Sequence, residues 1–218
     1  ATTISNRHGG TLSQQIVFVN SSQFTRPSRS GGLVVGGQYV AAALGGMIAA
    51  FPVYVPLTRK AISGIIEVND TRTKAGLNED ASNGLLVVQR KDGVVQVRHA
   101  ITLDTTSTPV RELSVVRAKH RVIESVRQTI DTQIIGQVVA DGEAPLVVRS
   151  SIIGVLDQLR AERDIVSYTD VQSRTSSIDP TTIEVRFSYA PAFPVNYVNI
   201  VFSLDLSGGA VEASTEVS

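Results

Sequence analysis

The 218-residue chain has no cysteine and no tryptophan, one methionine and three histidines. Without cysteine there are no disulfides and no thiolate metal sites, and His8, His99 and His120 stand too far apart in sequence to suggest a histidine cluster. An excess of either charge is missing too, since twenty Lys and Arg residues balance twenty Asp and Glu residues. A neutral chain has no overall field to draw it to nucleic acid or an anionic membrane, so charge-based recognition must come from local patches. The longest apolar run, Val40 to Val55, is broken by Gly45, Gly46 and Pro52 and is too short to span a bilayer. Ala1 to Gly10 is polar, so no signal peptide is read there and a soluble chain is expected. Catalytic signatures are also lacking. Gly31-Gly32-Leu33-Val34-Val35-Gly36-Gly37 fits neither the P-loop nor the dinucleotide pattern, and no G-x-S-x-G elbow occurs. The carboxylate pairs Glu79/Asp80 and Asp141/Glu143 have no partnering motif and suit a solvated helix face or an N-terminal cap better than acid–base work. No catalytic residue, cofactor or metal site is therefore expected.

What is present is enough apolar sequence, 42% of residues, to bury a substantial core in one large domain. Its clearest signal is Asn83 to Ile134. Leu85 to Arg90 and Val94 to His99 alternate around Lys91-Asp92-Gly93, which predicts a β-hairpin closed by an Asp-Gly turn. After a polar loop from Asp104 to Arg111, Leu113, Val115 and Val116 read as a brief strand entering a helix at Arg117. Val122, Ile123, Val126, Ile130 and Ile134 recur at helical spacing, with Arg117, Lys119, Arg121 and Arg127 on the other side. Glu124 and Asp131 are spaced to pair with Arg121 and Arg127.

Before this stretch, Gln15 to Val19 predicts a short strand, followed by a Ser/Thr/Arg/Pro loop up to a flexible glycine-rich helix entrance. Gln38 to Phe51 predicts a buried helix whose Ala41, Ala42, Gly45 and Ala49 permit close approach by another element, ending at Pro52. Ile62, Ile65 and Ile66 suit a strand packed on that helix, and Arg72 to Asp80 a short helix anchored by Ala75 and Leu77. Beyond it, Pro145 in a first turn preceded by Asp141 and Glu143 starts a helix with Ile152, Leu156 and Leu159 inward and Arg149, Arg160 and Arg163 on its polar side. Ile165 to Tyr168 reads as a short strand, Asp179-Pro180 as a turn, and Ile183-Val185-Phe187 and Val198-Ile200-Phe202-Leu204 as alternating strands.

Several of these pieces, in this order, resemble contractile phage tail sheath proteins. They are Ala41-Ala42-Ala43-Leu44-Gly45-Gly46-Met47, Val55-Pro56-Leu57-Thr58-Arg59-Lys60-Ala61-Ile62-Ser63-Gly64, Asn83 to Val88, Gly93 to Leu103, Leu113 to Ile130, and Ala190 to Val195. The aromatic residue that many sheath proteins carry in the loop before the junction helix is missing between Asp104 and Arg111. The resemblance implies an α/β (α+β) fold, a mixed β-sheet flanked by helices, with edge strands exchanged between neighbours. Residues 1–206 would form the domain, with 1–30 as an entry lobe and 207–218 as a flexible tail or arm.

By the same resemblance the chain is a non-enzymatic structural subunit in the virion tail, present in the host cytoplasm during assembly. Its partners would be copies of itself in a helical stack of rings, an inner tail tube, and baseplate and tail terminator proteins, without nucleic acid or direct membrane contact. Val198, Ile200, Phe202 and Leu204 are the expected inter-subunit strand, because an alternating edge strand can be donated to a neighbouring sheet. Arg117, Lys119, Arg121, Arg127, Arg149, Arg160 and Arg163 are the candidates to face an acidic tube. A tube or baseplate subunit of the same machine is the second reading, and an unrelated α/β enzyme the third.

Overall fold

The computed structural model describes residues 17–69 and 72–195, and describes 198–206 and 209–217 by their backbone. The strands are β1 (Phe18–Val19), β2 (Gln23–Ser28), β3 (Gly31–Gly36), β4 (Glu67–Val68), β5 (Leu85–Lys91), β6 (Val94–His99), β7 (Ile165–Thr175), β8 (Ile183–Pro191), β9 (Val198–Leu206) and β10 (Gly209–Val217). The helices are α1 (Gly37–Ala50), α2 (Lys74–Ser82), α3 (Thr108–Arg111), α4 (Leu113–Thr129), which runs into a π-helical turn (Ile130–Ile134), and α5 (Ala144–Ala161). The described strands form four small sheets in the orders β1-β5-β6, β3-β2-β4, β7-β8 and β10-β9. The fold is mixed α/β with helices against the sheets, as expected, although the strands do not merge into a single sheet.

The β5–β6 hairpin is the expected one. Lys91 pairs with Val94, and Asp92 and Gly93 take φ of 52° and 80°, the two positive values that a tight turn matching the strand twist requires. β1 lies parallel to β5, with Phe18 beside Leu85, which makes this sheet mixed. Leu86, Val88, Val95 and Val97 point into a core shared with Phe24, Val40, Leu44, Leu57 and Ile62. Gly84 ends α2 with φ 80°, and a Cβ there would come 2.8 Å from the Leu103 carbonyl oxygen, so the approach of these two segments depends on glycine.

Five local expectations are corrected. The Ser/Thr/Arg/Pro stretch is the strand β2, paired with β3, and Pro27 is tolerated because β4 reaches only Phe24 and Thr25, leaving that end of β2 on an edge. Leu113 to Val116 are the first turn of α4, not a strand: all four are buried, and a short buried apolar run does not distinguish the two by periodicity. Helix α1 buries Val40 and Leu44, while Ala41, Ala42, Gly45, Gly46 and Ala49 are exposed, so its small-residue face is open. Helix α2 is anchored by Leu77 and Ala81, with Ala75 exposed; Ile62 and Ile65 pack into the core through a single bridge at Ala61 and the short β4, while Ile66 is exposed.

A second core lies around α4 and α5, where Val122, Ile134, Val148, Ile152, Leu156 and Leu159 meet Ile165 and Val171 of β7. Val122, Val126, Ile130 and Ile134 are spaced by four, and each such step rotates a residue about 40° around a 3.6-residue helix. The wider π turn absorbs that drift and returns Ile134 to the core. Asp141 starts α5, its Oδ1 accepting from the amides of Glu143 and Ala144. Strand β7 is longer than the expected Ile165 to Tyr168, and β8 pairs antiparallel with it from Thr175↔Ile183 to Ile165↔Pro191, with register shifts between Thr169 and Gln172 and between Ile165 and Ser167. Beyond them Val198–Leu206 is a strand, as expected, and it ladders with Gly209–Val217, which lies in the stretch expected to be a tail.

Candidate assembly surfaces

Helix α4 belongs to both cores, Leu113 to the first and Val122 to the second. The basic residues between them hold the two halves together. Helix α1 has no basic residue in its last turn, so its final carbonyls need a cation from elsewhere. Arg117 supplies it, its Nη2 donating to the carbonyls of Ile48 and Phe51, each at 2.7 Å. Burial pushes the Arg117 guanidinium below its usual pKa, an effect that the nearby Asp164 carboxylate opposes.

One turn on, Arg121 reaches the other half, with Nη2 at 3.5 Å from Glu162 and Nε at 3.6 Å from the buried Asp164. Burial, and then the neighbouring Glu162 charge, raise the Asp164 carboxyl above the ordinary range, while Arg121 and Arg117 pull it back. Between these groups and residues 49–54 lies an open groove of about 440 Å³, with Phe51, Pro52, Val53 and Tyr54 on one wall and Arg117, Arg121, Glu162 and Asp164 on the other.

The remaining basic candidates differ in what holds them. Arg149 donates from Nε to the Val171 carbonyl, tying α5 to β7. Arg160 pairs with Asp157 at 3.0 Å and lies over the Tyr168 ring, whose hydroxyl donates to Asp157. Lys119 is half-buried, and Arg127 and Arg163 are exposed. The expected pairs Arg121–Glu124 and Arg127–Asp131 do not form: Arg121 turns to Glu162 and Asp164, and no ion pair involves Glu124 or Asp131 among the described residues. Tertiary partners that are already fixed in place hold the guanidinium better than a flexible neighbour on the same exposed helix.

Of the carboxylates weighed for acid–base chemistry, Asp80 and Asp141 have structural roles, Asp141 as the cap of α5. Asp80 is buried, takes Arg72 Nη1 at 2.7 Å and accepts from Asn20 Nδ2. Asn20 in turn accepts from the Val88 amide, so this network fastens β1 and α2 to β5. Among the described residues no group of three or more His, Asp and Glu side chains could hold a metal ion, and no helix is long and apolar enough to cross a membrane.

The four strand residues Val198, Ile200, Phe202 and Leu204 lie in β9, whose only hydrogen-bonded neighbour among the described strands is β10. Sheet β7-β8 is likewise two-stranded. In both, each strand has one paired edge and one with no partner among the described strands, unlike the central strands β5 and β2.

No family model matches the sequence. The tail sheath protein of Mycobacterium phage Bxz1 is 28% identical over 207 residues, 93% of this chain and 36% of that protein. The chain therefore spans little more than a third of that relative. The crystal structure of a sheath tail protein from Desulfitobacterium hafniense superposes with a TM-score of 0.71 at 13% identity, covering 94% of this chain and 45% of that one. The contracted sheath complex of the PVC extracellular contractile injection system gives a TM-score of 0.73 at 15% identity, over 94% of this chain and 60% of that one. The chain resembles contractile tail sheath proteins in sequence and has their fold.

Proposed function

We propose that this chain acts in a contractile tail sheath, polymerising helically around an inner tube and contracting to drive that tube through a target cell envelope. One observation carries the reading: both sheets after α5 are two-stranded and keep unpaired edges. A two-stranded sheet is marginal alone, and an unpaired edge is a template for another strand. In an assembly, β9 would pair across the subunit boundary, with Val198, Ile200, Phe202 and Leu204 as the alternating set seated on the neighbour. The chain works in the virion tail, after assembly in the host cytoplasm, beside tube, baseplate and terminator proteins, and carries out no catalysis.

Contraction asks for tube contacts that break in every subunit and lateral ladders that survive. Exposed ion pairs suit the first task, each contributing on the order of 0–1 kcal/mol and weakening with salt. Arg127, Arg149 and Arg160 are exposed, the last two beside intrasubunit contacts of their own, and suit an acidic tube surface; Arg117 and Arg121, less exposed and engaged between the two halves, suit it less. Truncation before Tyr197 tests the ladder: the expected product stays folded and forms no tubes in negative stain, and normal tubes from it would overturn the exchange. Reversing charge at Arg127, Arg149 and Arg160 together is expected to release the extended sheath from its tube and leave contracted tubes intact.

A further inference from the structure

Helices α4 and α5 run as an antiparallel hairpin, and its two ends differ in a complementary way. At the connecting end, Ile135, Val139, Leu146 and Val147 are large apolar side chains with 64, 77, 63 and 41% of their surface exposed. Around them stand Asp131, Asp141 and Glu143, none in an ion pair among the described residues; Arg127 is one turn from Asp131 without pairing. Asp141 is partly satisfied by the two amides that it caps. Four exposed apolar residues within so short a stretch are more than a solvated loop needs, and an acidic rim is what keeps such a patch selective.

At the opposite end, the 18 residues of α5 away and hence roughly 27 Å along its axis, lies the groove of about 440 Å³ walled by Phe51, Pro52, Val53 and Tyr54. It has room for a cluster of aliphatic side chains. Its two carboxylates, Glu162 and Asp164, are held by Arg121. Besides the lining Arg117 and Arg121, the nearby cations are Lys60, whose Nζ sits 5.5 Å from the Phe51 ring centroid, and Arg163, exposed and between Glu162 and Asp164 in sequence. The protruding end is apolar with acidic flanks; the receiving end has an apolar wall at residues 51–54, an ion-paired wall opposite in which Arg121 holds both carboxylates, and Lys60 beside Phe51.

We infer that the occupant of this groove is the helical-hairpin tip of a second copy of this chain, residues 135–147, in a head-to-tail contact. The two surfaces differ and lie at opposite ends, so the contact is heterologous and repeats from copy to copy instead of closing as a symmetric dimer. It rests on the reading that the chain assembles with itself, and adds an interface that does not use strand exchange. Apolar seating supplies the attraction, and Asp131 and Glu143 against Lys60 and Arg163 set the register.

The absence of cysteine allows a direct test on the full 218-residue chain. Val139→Cys and Val53→Cys are placed together in one chain, and mild oxidation is followed on a non-reducing gel. A ladder of covalent dimers, trimers and higher species from the double variant, with no ladder from either single variant, is the expected result. Polymers in negative stain without a ladder overturn this inference and leave the sheath reading intact. Neither polymers nor ladder overturns both. A ladder that persists after truncation before Tyr197 upholds the tip-to-groove contact independently of strand exchange. A Glu143→Lys and Lys60→Glu pair of chains is the second measurement: each alone should reduce cross-linking several-fold in its double-cysteine background, and mixing them should restore it between unlike chains. Equal cross-linking in all combinations overturns the charge register.

Discussion

The two halves of the molecule solve the same problem differently. The first half, up to Leu113, surrounds one core with two three-stranded sheets and a helix, and its central strands β5 and β2 are paired on both sides. The second half rests on a helical hairpin with a two-stranded sheet, and among the described residues leaves both edges of that sheet unpaired and a cluster of large apolar residues exposed. The first has a strand paired on both sides in each of its sheets; among the described strands the second has none. The proposed assembly would use one part that stays folded alone and another whose edges can take a partner strand.

The sharpest way to break this contrast is to damage each core. Phe24→Ala in the first and Leu156→Ala in the second remove fully buried side chains and should cost about 3–5 and about 2–5 kcal/mol respectively. Hydrogen exchange is expected to show Phe24→Ala loosening β5 and β6, and Leu156→Ala loosening β7 and β8 while β5 keeps its protection. Equal loss everywhere would mean that the halves fold as one unit.

Arg117 links the halves, so Arg117→Met is the next largest change. It leaves the Ile48 and Phe51 carbonyls without their charged donor, a loss of about 2–3 kcal/mol read from the urea midpoint.

Acid separates the halves by sign. His99 on β6 is held down to about 4 by burial and by Arg98, Arg111 and Arg59. The folded value lies below the unfolded one, so the unfolded chain binds the extra proton: stability is full above pH 6.5 and falls as the pH drops from 6.5 to about 4. Solvent screening reduces the effect to on the order of 2 kcal/mol. His99→Asn should abolish that slope. Asp164, whose carboxyl is raised by burial, works the other way, the native state gaining as pH falls through its pKa. Asp164→Asn should therefore steepen the net acid loss, checked by stability curves at several pH values.

The smallest effects belong to the exposed cations. Arg121→Gln breaks two long pairs to Glu162 and Asp164 and should cost about 1 kcal/mol, less in high salt. Arg127→Gln, exposed on α4, should stay within about 0.5 kcal/mol in the isolated subunit. A larger change at Arg127 would assign it a role within the fold and not on an outer surface.

By itself, the sequence determined what depends on neighbours along the chain: the Asp92-Gly93 hairpin, α5 with its acidic cap and Ile152, Leu156 and Leu159 inward, the alternation of β8, the strand β9, and the order of motifs that resembles a sheath protein. Turn chemistry and periodicity are local, so they are legible without a structure. Only the tertiary structure decided that Leu113 to Val116 coil, since burial on every side erases the period that separates strand from helix. It alone made α1 a half-exposed helix, because an Ala- and Gly-rich stretch is compatible with either a buried or an open face. Long-range partners likewise decided that Arg117 caps α1, nearly seventy residues earlier in the chain, and that Arg121 reaches Asp164 instead of Glu124. A guanidinium goes to whichever acceptors the fold brings within reach, and sequence spacing does not encode that distance.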